Sequence, residues 1–210
     1  MQEKLALASI GVLCLLLLAA GQDAKKKAVS NSNLRVPQIA GKELFTLKKC
    51  VECHTLTDTT DGKFTPVTSK RDDDWFAEHV KSNSAIVLRQ EQSKRKQRRV
   101  FRAEIAALAD YLFNSKPEEK AQIDAMPENV FQGAYLVYQK PCLKCHTIAD
   151  MGKDVGPNLT HVAKKHNDKS WLIKHFQNPQ QFNADSIMPK FDRLPKEQLE
   201  KMADYLLTLK

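Results

Sequence analysis

One five-residue pattern occurs twice in this chain of 210 residues. It is Cys-x-x-Cys-His, and it spans residues 50–54 in the first half and 142–146 in the second. Two thiols three positions apart are compatible with a redox dithiol, with half of a zinc site, or with covalent attachment of a haem. Each half of the chain therefore carries a pair of thiols and, directly after it, an imidazole that can bind a metal.

The other cysteine favours the third of these chemistries. Residues 5–20 form a 16-residue apolar stretch after Lys4, and Ala19-Ala20-Gly21 offers small residues for cleavage. This is typical of a secretory signal over residues 1–21. An uncleaved membrane anchor is the alternative, and the stretch is of borderline length for one, because crossing a bilayer takes about 20 residues. Removing the signal removes Cys14 and leaves only the four motif cysteines. We therefore expect an exported, periplasmic protein without a structural disulfide.

A histidine after both thiol pairs, in an exported chain, predicts two covalently bound haem c groups with their iron. The thiols would form thioethers to the haem vinyl groups, and the histidines would bind the iron axially. The predicted attachment residues are Cys50, Cys53, Cys142 and Cys145, and the predicted axial ligands are His54 and His146. A zinc site or a dithiol oxidoreductase remains the alternative.

The two halves also repeat outside the motif. A glycine lies nine residues before each motif (Gly41, Gly133), and each half closes with Ala-Asp-Tyr-Leu, at residues 109–112 and 203–206. Apolar residues at i, i+3, i+4 and i+7 predict amphipathic helices there, with Ile105, Leu108, Ala109 and Leu112 on the buried face of the first. Residues 39–49 and 129–140 are predicted helices leading into the motifs. The resulting division is a signal at 1–21, a polar linker at 22–36, domains at 37–115 and 128–210, and a proline-marked linker at 116–127.

This order of features resembles two tandem class I cytochrome c domains, over about residues 37–210. The resemblance implies an all-α fold in which each small helical domain surrounds a covalent haem. It implies that a helix bearing Gly41 or Gly133 crosses a closing helix bearing Tyr111 or Tyr205. It also implies that the Pro157 carbonyl supports the proximal His146, and that Pro66 does the same for His54.

The same resemblance makes Met188, which precedes Pro189, the sixth iron ligand of the second domain. The first domain departs from this pattern, because no methionine lies between Met1 and Met126. Aligning the closing tetrapeptides places Lys94 opposite Met188. Lys94 or Lys96 as a deprotonated amine, His79, and an open position filled by water or a small ligand all remain candidates.

The formal net charge is +8, and seven basic residues against one acid lie between Arg89 and Arg102. Such a surface suits redox proteins with acidic faces that dock at exposed haem edges, or an anionic membrane surface. A loop and the start of a helix, both exposed to solvent, would explain this run of basic residues equally well. Nucleic acid is not expected as a partner of an exported protein.

The leading interpretation is a carrier that transfers single electrons between redox partners. The competing interpretations use an open first haem, either as an enzyme that reduces peroxide or nitrogen oxides, or as a gas sensor. No distal acid–base group typical of a peroxidase is evident, and no output module of a sensor is present in the sequence.

Overall fold

The computed structural model describes residues 30–50, 78–80 and 94–210. The predicted signal and most of the first linker lie outside the described residues. So do Cys53, His54 and Pro66, together with the side chains of Lys94 and Lys96.

Helices account for most of the described structure, as predicted. They are α1 (Val36–Leu47), α2 (Lys94–Leu112), α3 (Pro117–Asp124), α4 (Glu128–Gln139), α5 (Val162–Lys165), α6 (Lys169–Gln177) and α7 (Lys196–Leu206). Residues 78–80 are also helical. The strands described are the two-residue β1 (Thr147–Ile148) and β2 (Met151–Gly152), which pair in antiparallel register. None of the helices in the described ranges is long and apolar enough to span a bilayer.

The core consists of two helix crossings, one in each half. Helix α1 packs on α2, and α4 packs on α7. A Cβ at Gly41 would lie 2.1 Å from the Ala107 carbonyl oxygen, and one at Gly133 would lie 1.9 Å from that of Lys201. Only glycine therefore permits helix axes this close, and the predicted glycine–tyrosine crossings are present in both halves.

The buried face of α2 differs from the predicted one. Glu104, Ala107, Leu108 and Tyr111 are buried at i, i+3, i+4 and i+7, whereas Ile105, Ala109 and Leu112 are only partly buried. The helix is rotated because Tyr111 packs on Gly41 and the Glu104 carboxylate pairs with Lys48, which directly follows α1. In α7 the predicted face is buried as expected, through Leu199, Met202, Ala203 and Leu206.

The segment predicted as a linker at 116–127 contains helix α3. Helix α3 packs on α1, where the Lys42 ammonium pairs with Asp124 at 3.4 Å. The Tyr111 hydroxyl donates a hydrogen bond of 2.6 Å to the same carboxylate. Polar residues and a proline predicted a connection here, but a proline also starts helices well at the first position, and α3 begins at Pro117.

The two halves pack directly on each other through α1 and α4. The Lys42 ammonium lies 5.2 Å from the centre of the Phe131 ring, and the Tyr138 hydroxyl donates to the Ala103 carbonyl at 2.8 Å. Glu43 of α1 is buried close enough to Glu128 and Lys201 to feel their charges. The aromatic face of α4 that turns away from α7 therefore covers the first half.

The chain ends add a second connection between the halves. The Asn31 N–H donates to the Thr208 carbonyl at 3.1 Å, and the hydroxyls of Ser30 and Ser32 donate to the Lys210 carbonyl. The segment before α1 is thus held by the last residues of the second half. With the α1–α4 contact, these bonds fix the orientation of one half relative to the other.

Candidate functional site

The second thiol motif lies at the end of α4, on a single turn of 3-10 helix that spans Pro141–Lys144. The N–H groups of Cys145 and His146 both donate to the Cys142 carbonyl, at 3.1 and 2.9 Å. The Cys145 carbonyl in turn accepts hydrogen bonds from Val155 and Gly156, at 2.9 and 2.7 Å. These hydrogen bonds join the motif to the following loop. The backbone positions of both cysteines and of His146 are therefore fixed.

The imidazole of His146 is oriented by the loop that follows it. Its Nδ1 atom lies 2.8 Å from the Pro157 carbonyl oxygen. A carbonyl can only accept, so Nδ1 must carry the proton and donate it. The neutral ring then has an unprotonated Nε2, whose lone pair is available to a metal. This contact is the one that the family resemblance assigns to Pro157.

Gly156 forms the surface against which this ring lies. A Cβ at Gly156 would lie 2.7 Å from Cε1 and 3.0 Å from Nδ1 of His146. Real Cβ atoms do not approach other atoms at the shorter of these distances, so any other residue would push the ring away. The Gly156–Pro157 pair therefore fixes both the position and the tautomer of the imidazole.

Cys142 of the second motif does not have the properties of a reactive thiol. Burial raises the pKa of Cys142 to about 11. The nucleophilic form is the thiolate, which such a pKa suppresses at neutral pH. Cys142 and Cys145 are both free, and no cluster of three or more histidine, cysteine or acidic side chains in the described residues could hold a metal ion. The arrangement fits two thioether attachments with one imidazole ligand better than a zinc site or a redox disulfide.

Met188 lies in the loop between α6 and α7 and is partly buried against the core. Its N–H donates to the Ser186 hydroxyl at 3.3 Å, and its carbonyl accepts a 3.2 Å hydrogen bond from the Gln180 amide. These two hydrogen bonds hold the backbone of the methionine that the family resemblance selects as sixth ligand. The thioether is soft and suits iron that alternates between two oxidation states.

An aromatic stack lines the end of α6. The His166 and Trp171 rings stack at 3.7 Å between centres, and Trp171 and His175 stack at 4.8 Å. The Phe182 ring meets Trp171 edge-on at 5.2 Å. Burial lowers the pKa of His175, and the charges of His166 and His146 add to that effect. The neutral imidazole of His175 is therefore favoured, and its ring packs against Trp171 and Phe182.

The first motif is described only at its first residue. Cys50 follows α1 and is partly buried. Two residues before it, the Lys48 ammonium lies 3.4 Å from the Glu104 carboxylate, with both side chains at most 5% exposed. Burial lowers the pKa of Lys48 and raises that of Glu104, so desolvation outweighs their mutual attraction. This buried pair joins the end of α1 to α2 just ahead of the attachment site.

His79, a candidate ligand of the first site, lies in the helical segment 78–80 and is partly buried. The predicted axial ligand of the first motif, His54, lies outside the described residues. The sixth ligand of the first half therefore stays a prediction among Lys94, Lys96, His79 and an open position.

Several residues that shape the site carried no clear signal in the sequence. Gln180 is one polar residue in a polar loop, and its contact with the Met188 turn depends on how that loop folds. Glu43 lies on a helix predicted from its apolar residues, where an acid would be expected to face solvent. Only the pairing of α1 with α4 buries it.

A comparison with protein-family models matches the cytochrome c family twice, over residues 38–116 and 132–210. No significant match is found among curated proteins or among solved structures. The two matched segments together cover most of the chain, and each begins just ahead of its motif. The chain belongs to the cytochrome c family and contains two such domains in tandem, which makes it an electron-transfer haem protein.

Proposed function

We propose that this chain is a periplasmic carrier of single electrons that binds one haem c in each half. The observation that carries the proposal is the His146 geometry, in which the Pro157 carbonyl accepts a hydrogen bond from the Nδ1–H and leaves the Nε2 lone pair free. A bound haem would supply the one-electron chemistry of its iron. The family match to both halves supports the same assignment for the first motif.

The residues of the second domain have separate tasks in this proposal. Cys142 and Cys145 would attach the haem, and His146 and Met188 would bind its iron. A thioether ligand favours the ferrous state. Iron that keeps the same ligands in both oxidation states would transfer an electron with little structural change, which is the property a carrier needs.

Carbon monoxide binding to the reduced protein tests carrier against enzyme or sensor. The motivation is the sequence of the first half, which has no methionine to match Met188. The carrier function predicts little carbon monoxide binding and slow peroxide consumption. Rapid, complete binding at one haem per chain, together with turnover of peroxide or a nitrogen oxide, would support the alternative.

The proposal includes an acidic redox protein as the partner of the first half, docking on a stripe of four arginines along α2. These are Arg95, Arg98, Arg99 and Arg102, and all four are exposed. They repeat at i, i+3, i+4 and i+7, so they share one face about 10 Å long. The buried stripe of α2 starts at Glu104, nine residues after Arg95. Nine residues are about two and a half helical turns, so the arginine stripe and the buried stripe lie on opposite sides of the helix.

No acid neutralises this arginine stripe within the part of the chain that the structure describes. The nearest acids of α2 have other partners, since Glu104 pairs with buried Lys48 and Asp110 pairs with Arg35. Guanidinium groups bind carboxylates through paired hydrogen bonds. The apolar residues of this part of α2, Val100 and Phe101, are half-buried and lie off the arginine face, where they could not insert into a bilayer together with the arginines. This favours a protein surface over a membrane surface.

Charge reversal of the stripe tests this partner. The R95E/R98E variant should associate with an acidic redox partner about 10-fold or more slowly at low salt, and salt should affect its rate less. The matched control is K164E/K165E, which removes the same charge from exposed lysines of α5 in the other half. Equal slowing by both variants would show that net charge, rather than this stripe, steers association.

Export itself needs a separate test, because the signal lies outside the described residues. We expect the mature protein to begin near Gln22 when it is recovered from the periplasm. N-terminal sequencing of that material checks the expectation, and a chain that retains residues 1–21 in the membrane fraction would indicate an anchor instead.

A further inference from the structure

We propose that Gln180 is a positioning residue for Met188, whose side-chain amide holds the turn that presents the sixth ligand. The inference rests on the proposed function, because it takes Met188 as the ligand of the second domain. It assigns a specific task to a residue outside both motifs.

The Gln180 amide donates two hydrogen bonds into that turn. Its Nε2 atom lies 2.8 Å from the Ser186 carbonyl oxygen and 3.2 Å from that of Met188. An NH₂ group carries two protons, so both bonds can form at once. The opposite amide orientation would place Oε1 against two other acceptors, and the chemistry of the contacts therefore fixes which end of the amide faces the turn.

Gln180 itself is held on a short rigid element. It lies in the single 3-10 turn Pro179–Gln181, which starts at a buried proline. The carbonyl of Pro179 accepts hydrogen bonds from Phe182 and Asn183, at 3.0 and 3.1 Å. The amide that contacts the methionine turn is thus anchored to the end of α6, outside the turn it holds.

The Met188 backbone is fixed on both sides by these contacts. Its N–H donates a hydrogen bond to the Ser186 hydroxyl, and its carbonyl accepts one from the Gln180 amide. The following residue is Pro189. A proline restricts the residue before it to extended conformations. The position of the Met188 Cα atom and the direction of its Cα–Cβ bond are therefore set before any bond to iron forms.

The second oxygen of the same amide indicates that this arrangement does not serve stability alone. Gln180 Oε1 is buried and accepts no hydrogen bond among the described residues. Leaving a buried acceptor unpaired is unfavourable, and a leucine of similar size would avoid that penalty. The glutamine is present despite this penalty, and its two N–H groups donate hydrogen bonds to the turn that carries Met188.

The sequence of the first half supports the link between the two residues. With the tetrapeptides aligned, Lys94 lies opposite Met188 and Ile86 lies opposite Gln180. Aligning instead on the tryptophans, Trp75 with Trp171, places Ser84 there. The half that lacks the methionine thus also lacks the glutamine that would hold it.

The consequence is a shift in the equilibrium between bound and detached Met188. Two ordinary hydrogen bonds that exist only in the held turn favour the bound state by about 10-fold or more. A ligand that competes for the same iron position, such as imidazole, must overcome this preference. Loss of the Gln180 bonds should therefore make the ferric second haem bind imidazole more tightly.

The experiment compares Gln180→Leu with Gln181→Leu in the full haem-loaded protein. Gln181 lies in the same turn, but its side chain is exposed, so it is the matched control. Gln180→Leu should weaken the ferric-methionine absorption band, lower the potential of the second haem, and tighten imidazole binding about 10-fold or more. Gln181→Leu should leave all three unchanged, and both variants should keep a similar denaturation midpoint.

A second variant covers the case in which Gln180→Leu does not fold. Gln180→Glu has nearly the same size but puts an ionisable oxygen against the two carbonyls. Its methionine band should weaken as the pH rises through the titration of the new carboxyl group, because the ionised form can no longer donate.

The possible failures are distinguishable. If the unmodified protein lacks the ferric-methionine band, the assignment of Met188 fails, and with it the premise. If the unmodified protein has the band and Met188→Ala removes it, the premise holds. Unchanged band and imidazole affinity in Gln180→Leu, or in Gln180→Glu across the pH range, would then overturn the positioning role alone.

Discussion

Glu43 provides a quantitative test of how the two halves are joined. Its side chain is on α1, the residue is 6% exposed, and Oε2 is buried without a hydrogen-bond partner among the described residues. Burial raises the pKa of this carboxyl from 4.5 to about 7, the charge of Glu128 adds to the rise, and Lys201 opposes it. The contact between α1 and α4 therefore encloses a group that favours its neutral form.

The sign of the pH dependence follows from this difference. The folded protein keeps the Glu43 proton up to about pH 7, whereas the unfolded chain releases it near the ordinary value of 4.5. The stabilising contribution is therefore complete below pH 4.5, is lost progressively as the pH rises, and is gone above about 7. At about 1.4 kcal/mol per pKa unit, the loss in the free energy of unfolding is about 3 kcal/mol.

Denaturant unfolding of the haem-loaded protein and of Glu43→Gln measures this contribution. The amide cannot ionise, so the variant should gain about 3 kcal/mol relative to the unmodified protein between pH 4.5 and 8. Comparing the two proteins at each pH cancels the titration of all other groups. A difference in stability that does not change with pH would refute the reasoning.

Glu128→Gln serves as the matched control. Glu128 is exposed and raises the pKa of Glu43 through its charge. Its removal should reduce the pH-dependent loss without abolishing it. If the pH-dependent loss of stability were as small in Glu128→Gln as in Glu43→Gln, burial of the Glu43 carboxyl would not be its main source.

Three further substitutions test the packing. Gly133→Ala places a Cβ 1.9 Å from the Lys201 carbonyl oxygen and should lower the free energy of unfolding by about 1–3 kcal/mol, despite the better helix propensity of alanine, as measured by denaturant unfolding. Lys48→Met leaves Glu104 buried without its cation and should cost about 3 kcal/mol at neutral pH, whereas replacing both partners by apolar residues should recover most of that loss. Gly156→Ala forces the proximal imidazole to move and should shift the potential of the second haem and its absorption spectrum, and an unchanged spectrum would show that the ring does not need this seat.

The sequence was sufficient for the motifs, the tandem division and the helices, because each rests on local spacing. The helices predicted at 39–49 and 129–140 correspond to the helices Val36–Leu47 and Glu128–Gln139 in the structure, within three residues at each end. The glycine–tyrosine crossings came from the resemblance to class I cytochrome c domains, which pairs Gly41 with Tyr111 and Gly133 with Tyr205.

Contacts between distant elements could not be predicted in this way. The buried face of α2 is rotated from its apolar stripe because Lys48, the residue that follows α1, pairs with Glu104. The polar linker folds as α3 because α1 offers Lys42 and Gln38 as partners for its side chains, through Asp124 and Glu119. Residue spacing within one helix carries no information on either partner.

The intact mass of the purified mature protein under denaturing conditions tests the central claim most directly. Two covalent haem groups, one on each Cys-x-x-Cys-His motif, predict a mass equal to the mature chain plus two haems, which remain attached after unfolding. Replacing Cys142 and Cys145 by serine should remove one of them. A mass equal to that of the bare chain, or to a chain with a single haem, would contradict the account.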